Sequence, residues 1–199
     1  ENESYLGLSG VTHMYGRAEF RLPAGDYNFR ADYMGSRYFS GVSTLIAHVD
    51  NPVEISTGGG SFNLTVLKGP DNPLAGVKCY LFNESGSYLS QYRVTSDRGE
   101  IGFALADGSY KIRVDYLGYQ FWSDVFSIPS VSNLDLTIAH QDVTVEVVGD
   151  YDGDVIPLED LKVYLFTPSG RYLSRNAMTD DQGMVTFNLP QMDYKVRAD

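Results

Sequence analysis

The sequence predicts an all-β protein, a tandem array of antiparallel β-sandwiches. Three observations lead there. The chain repeats itself at a spacing of about 84 residues, its apolar residues alternate with period two, and turn signals interrupt them about every 8–12 residues.

The repeat is direct. Residues 80–115 and 164–199, slid by 84 positions without a gap, are identical at 17 of 36 positions. A third copy lies upstream at an offset of 83, where residues 12–40 match 95–123 at 11 of 29 positions. The shared skeleton is T-x-x-x-G-x-x-x-F-x-L-x-x-x-x-Y-x-x-R-x-D, with Y-x-G after it in the two copies that reach that far. Glu1 corresponds to Glu84 and Asp199 to Asp115. The expected units are therefore the back of one repeat (1–57), a complete repeat (58–141) and the front of a third (142–199). Both ends then fall inside a repeat. The expectation is a longer array, continued by the same polypeptide in preference to neighbours that donate strands and polymerise head to tail. The piece alone is expected to keep a stable middle repeat with fraying ends.

Each element follows from its pattern. Phe62-Asn-Leu-Thr-Val-Leu, Val77-Lys-Cys-Tyr-Leu-Phe and Val143-Thr-Val-Glu-Val-Val alternate or run apolar over strand-like spans. Tyr110-Lys-Ile-Arg-Val-Asp puts Tyr110, Ile112 and Val114 on one face. Gly69-Pro-Asp-Asn-Pro, Asn83-Glu-Ser-Gly, Ser96-Asp-Arg-Gly and Ala106-Asp-Gly punctuate the strands. No window carries a helical stripe. About seven short strands per repeat are expected, with Thr-x-x-x-Gly as a tight turn. Phe103 and Leu105 enter the core, and the Asp107-Gly108 turn returns the chain as a hairpin with Tyr110 inward.

Composition narrows the function classes. The 199 residues are 43% apolar and 13% aromatic, with 15 Tyr and one Trp, enough to build a core and suited to strands. Fifteen Lys and Arg against 26 Asp and Glu leave a net charge of −11. Such a chain repels phosphates, so no nucleic-acid partner is expected. No apolar run is long enough for membrane insertion. The lone Cys79 excludes a disulfide framework within the chain, and its repeat equivalent is Val163, so it is expected to be a small buried hydrophobe.

The run T-[SD]-D-x-G-x-[IV]-x-F-x-L, a turn, then Y-K-[IV]-R-[VA] resembles the prealbumin-like, immunoglobulin-like sandwiches of bacterial surface proteins. These include the B-type repeats of collagen-binding adhesins and the carboxypeptidase regulatory-like domain. The resemblance covers every repeat. It implies an extracellular, cell-surface, fibre-forming or adhesive protein. It also raises an intramolecular isopeptide bond, for which Lys68, Asn133 or Asp135, and Glu100 as the acid are the residues present in the middle repeat. Val148 stands where the third repeat would need the lysine, which argues against such a bond in every repeat.

Two further clusters are candidate sites. Asp150, Asp152 and Asp154 alternate in Gly149-Asp-Tyr-Asp-Gly-Asp, and carboxylates so spaced could converge on Ca²⁺, with Glu159 or Asp160 contributing. An EF-hand is excluded by Val155 and Leu161 at the sixth and twelfth positions, and an acidic solvated turn is the favoured reading. Tyr119, Phe121 and Trp122 are candidates for stacking on a glycan. Packing is the favoured reading, because neighbouring rings in a strand–turn–strand pair across strands; the match to Tyr38 and Phe39 in the first repeat fits a fold requirement as readily as a ligand. Catalysis has no support: His13, His48 and His140 occupy non-equivalent repeat positions, and no nucleophile-elbow, metalloprotease or phosphate-loop motif occurs.

The leading expectation is a non-enzymatic extracellular stalk or filament. Its partners would be continuation of the same chain or self-association, and a surface glycan or protein ligand. The alternatives are a carbohydrate-binding array and the accessory domains of a larger secreted enzyme. The segment from Ile138 to Val143 leaves about four residues between strands, short enough to hold successive units at fixed angles.

Overall fold

A computed structural model describes residues 4–199. Every regular element among them is a strand, and none is a helix. Residues 4–24 form no strand. The first pair is β1 (Gly25–Tyr33) and β2 (Ser36–Leu45), an antiparallel hairpin turned at Met34-Gly35.

From residue 60 the chain builds a β-sandwich. Its strands are β3 (Gly60–Gly69), β4 (Asn72–Pro73), β5 (Lys78–Asn83), β6 (Tyr88–Val94), β7 (Glu100–Leu105), β8 (Gly108–Tyr116), β9 (Tyr119–Trp122), β10 (Phe126–Ile128) and β11 (Asn133–Thr137). One sheet runs β10-β8-β5-β6, with β9 also paired to β8. The other runs β11-β3-β4, with β7 also paired to β3. The β11–β3 pair is parallel. Nine strands replace the expected seven, because β9 and β10 each pair with part of β8 and because the two-residue β4 follows β3.

The residues after 139 form β12 (His140–Glu146), β13 (Val148–Tyr151), β14 (Asp154–Pro157), β15 (Lys162–Phe166), β16 (Tyr172–Met178), β17 (Met184–Pro190) and β18 (Lys195–Ala198). The pairings β12–β17 and β16-β15-β18 reproduce β3–β7 and β6-β5-β8.

Period two decides what is buried. Phe62, Leu64 and Val66 from β3 meet Cys79 and Leu81 from β5, Phe103 and Leu105 from β7, and Tyr110, Ile112 and Val114 from β8. Each fully buried apolar side chain contributes about 1.5–3 kcal/mol. Phe62 and Phe126 stack across the two sheets with centroids 4.1 Å apart. A second core gathers Val163, Leu165, Val185, Phe187 and Leu189. Beside it runs an open apolar groove of about 410 Å³, lined by Val143, Phe187, Tyr194 and Val196. In the sandwich, Phe126 packs on Phe62 and Tyr110. Residues 4–49 are different: Tyr5, Leu6, Val11, Met14 and Val42 are exposed.

The recurring sequence skeleton has a recurring structural cause. The Thr95 hydroxyl donates to the Leu74 carbonyl and accepts from the Val77 amide. Thr179 repeats this with Leu158 and Leu161. Four residues on, Gly99 and Gly183 adopt φ of +74° and +70°. A Cβ there would lie 2.4 Å from the Val66 carbonyl and 2.6 Å from that of Val147, so the turn needs glycine twice over. Gly16 has the same conformation but nothing around it.

The expected hairpin at Asp107-Gly108 does not form. β7 belongs to the β3 sheet and β8 to the β5 sheet, so this turn carries the chain from one sheet to the other. Tyr110 is inward as expected, and its hydroxyl donates to the Ala106 carbonyl at 3.0 Å, clamping the crossing. The same i to i−4 bond joins Tyr27 to Pro23 and Tyr194 to Pro190, both at 3.1 Å. This is the tyrosine corner of sandwich folds, made three times.

Candidate functional site

The acidic candidates sit on a hairpin. β13 and β14 pair Tyr151 with Asp154, leaving Asp152 and Gly153 as a two-residue turn with φ of +55° and +94°. Positive φ at both positions is the type I′ turn that Asp-Gly favours. The Asp150 carboxylate accepts from the Gly153 amide at 3.0 Å, which holds the turn closed. Among the described residues, no group of three or more His, Cys, Asp or Glu side chains is arranged to hold a metal ion.

The aromatic candidates are dispersed. Phe121 packs partly buried against the sandwich core. Trp122 lies on the outer face of its sheet, edge-on to Phe82 at 4.8 Å. The Arg113 guanidinium stacks near Tyr80, Phe82 and Trp122, and pairs with Asp115 at 2.8 Å. Arg197, with Tyr164, Phe166 and Asp199, repeats this arrangement. Tyr119 points elsewhere: its hydroxyl donates to the Asp193 carbonyl, and its ring meets Tyr194 edge-on at 5.8 Å. Asn133 and Asp135 stand in register with Asn63 and Thr65, five and three residues before Lys68 on β3. Cys79 is fully buried, and burial beside Asp115 pushes its thiol up to about 12.

Tyr119 belongs to a contact that the sequence did not reveal. Where β8 turns into β9, Leu117 and Gly118 form a two-residue turn with φ of +47° and +78°. Leu117 packs against the second core, and a Cβ on Gly118 would stand 3.1 Å from Thr167 and 3.4 Å from Leu173. One repeat earlier, Met34 and Gly35 turn β1 into β2 with φ of +50° and +79°. Met34 packs against the first core, and a Cβ on Gly35 would stand 3.1 Å from Asn83 and 3.3 Å from Leu89. Asn83 and Leu89 are the repeat equivalents of Thr167 and Leu173. The two contacts are the same contact, made twice.

A second anchor lies beside each. Tyr38 donates to the Asp107 carbonyl at 2.5 Å, as Tyr119 does to Asp193. Both acceptors lie in the loop just before a corner tyrosine. Burial, with Tyr119 and Tyr116 alongside, pushes Tyr194 up to about 12, and Tyr110 is raised the same way beside Tyr38. At the second boundary His140 lies against Tyr116, ring centroids 5.5 Å apart, with its Nδ1 2.6 Å from the Ile138 carbonyl.

No protein-family model matches the chain, and no curated protein matches it in sequence. Several solved structures overlap it at low similarity. The Bacillus anthracis TIE protein is 17% identical with a TM-score of 0.38, over 94% of this chain and 39% of that one. A streptococcal ancillary pilin is 15% identical with a TM-score of 0.36, over 89% and 66%. Fervidolysin from Fervidobacterium pennivorans, a keratinolytic enzyme related to subtilisin, is 16% identical with a TM-score of 0.40, over 74% and 26%. The chain spans less than two thirds of the length of each.

Proposed function

We propose that this chain is a non-enzymatic segment of an extracellular, cell-surface stalk or filament. Its units are 1–57, 58–141 and 142–199, each seated on the next, and its partner in the fibre is more of the same repeat. The observation that carries this reading is the hairpin-tip contact, made by Met34-Gly35 on Asn83 and Leu89, and again by Leu117-Gly118 on Thr167 and Leu173. A contact that recurs at successive repeats gives each joint the same geometry, and repeated joints of one geometry make a rod. Only Ile138 and Ala139 separate β11 from β12, so the linker adds little slack. The net charge of −11 keeps long rods apart in solution.

Gold-labelled antibody against the chain, applied to intact native cells, tests the reading by electron microscopy. Label along thin surface fibres is expected. Label confined to the cell interior, or to dispersed particles in the medium, would overturn it.

A further inference from the structure

The conformation of the hairpin tips is at odds with their sequence. A two-residue turn with positive φ at both positions favours Asn, Asp or Gly first, and a bulky apolar side chain is strained there. The chain follows that rule at Asp152-Gly153 and breaks it at Met34-Gly35 and Leu117-Gly118. Neither tip side chain is stranded in solvent. Met34 is packed against the core that begins with Phe62, and Leu117 against the core of Val163 and Leu165. A strained residue persists where its surroundings over-determine it, and such positions cluster where function demands them.

We infer that Met34 and Leu117 are coupling plugs, and that the surface formed by residues 83 and 89, or 167 and 173, is a docking seat for an apolar-glycine hairpin tip. This deepens the stacked-repeat reading and rests on it. The strain in the turn is offset when the plug completes the next unit's core, so the order of one unit depends on the placement of its predecessor. Each half of the fit has its own requirement. The plug must be apolar and long enough to reach the core. The residue after it favours glycine, because its φ of +79° or +78° strains any side chain and a Cβ would crowd Asn83 or Thr167 at 3.1 Å. The partner that the seat fits is therefore another copy of this repeat, approaching with one polarity. Tyr38 and Tyr119 then anchor the incoming hairpin laterally.

Leu117→Asn in the full 199-residue chain separates the plug from the turn. Asn-Gly suits the type I′ turn better than Leu-Gly, so the β8–β9 hairpin keeps its fold while the plug is lost. Leu173→Ala removes the seat and leaves the turn untouched. The readouts are nitrogen-15 relaxation, which gives the tumbling of 60–137 and 142–198 separately, and amide hydrogen exchange in β15. In the unmodified chain both segments should share one correlation time. In either variant the two times should separate, and exchange at Val163 and Leu165 should quicken by tenfold or more. If the unmodified chain shares one time and both variants still do, with unchanged exchange, the plug inference falls and the stacked-repeat reading stands. If the unmodified chain already shows two times, the stacked-repeat reading itself fails.

Discussion

The phenol of Tyr38 donates to the backbone carbonyl of Asp107, 69 residues further along the chain. Tyr119 does the same for Asp193, 74 residues on. The two donors are not equivalent in the repeat, since Tyr38 aligns with Phe121 and Tyr119 with Ser36. Their acceptors lie in corresponding loops of successive repeats, each just before a corner tyrosine. Tyr38→Phe and Tyr119→Phe should each destabilise by about 0.5–1.5 kcal/mol in urea unfolding, the worth of one hydrogen bond that water partly replaces. The double variant should be additive, because the two boundaries are separate. An effect of Tyr38→Phe on exchange in β15 would contradict that separation.

Gly99→Ala and Gly183→Ala should each destabilise by about 3 kcal/mol or more. Left-handed backbone contributes about 1–2 kcal/mol of this, and the rest comes from pushing β3, or Val147 just past β12, away from the new methyl. Gly16→Ala, with φ of +71° and open space around it, should show the backbone penalty alone, about 1–2 kcal/mol or less. Equal losses at Gly16 and Gly99 would mean that the carbonyls of Val66 and Val147 do not press on these turns.

Cys79→Val should lose less than about 1 kcal/mol, because the site is apolar, closed and already valine in the next repeat. With the thiol pushed up to about 12, it should label slowly at pH 8 in the folded chain and rapidly in denaturant. Rapid labelling of the folded protein would contradict the packing.

His140 carries the pH dependence of the second boundary. Burial holds its imidazole below 6.5, and the charges of Lys68 and Arg175 act in the same direction, against the Ile138 carbonyl. Its Nε2 is buried without a hydrogen-bond partner among the described residues. The folded chain thus binds fewer protons here than the unfolded chain. The stability from this group is complete above pH 6.5 and declines as pH falls through the folded value. The ring protons of His140 should titrate with a midpoint below 6.5, and the 142–199 segment should melt earlier at pH 5 than at pH 7. A midpoint at or above 6.5 would contradict the burial.

Much of this was legible in the sequence, for a physical reason. Tyr110, Ile112 and Val114 could be placed inward because a strand buries every second residue, and that signal is local. The glycine of T-x-x-x-G marked a turn for the same reason. Asp107-Gly108 misled because a hairpin and a crossing between sheets use the same turn residues. Their difference lies in whether β7 pairs with β8 or with β3, nearly 40 residues away. Tyr119, Phe121 and Trp122 sit within four positions of one another yet face a neighbouring unit, a core and solvent. The hairpin tips were visible only as a recurring Y-x-G. What makes Leu117 and Met34 informative is that they violate a turn preference, and the contact that compensates lies in the next repeat.

In the proposed rod, successive units are held at one fixed orientation. Asp97 and Asp181 are exposed and occupy equivalent positions 84 residues apart, so spin labels there report how one unit sits on the next. Buried Cys79 leaves the native thiol silent in such an experiment. Pulsed electron spin resonance on D97C/D181C, labelled at both sites, should give a single narrow distance distribution. A broad distribution, of the kind two beads on a flexible string produce, would contradict the account.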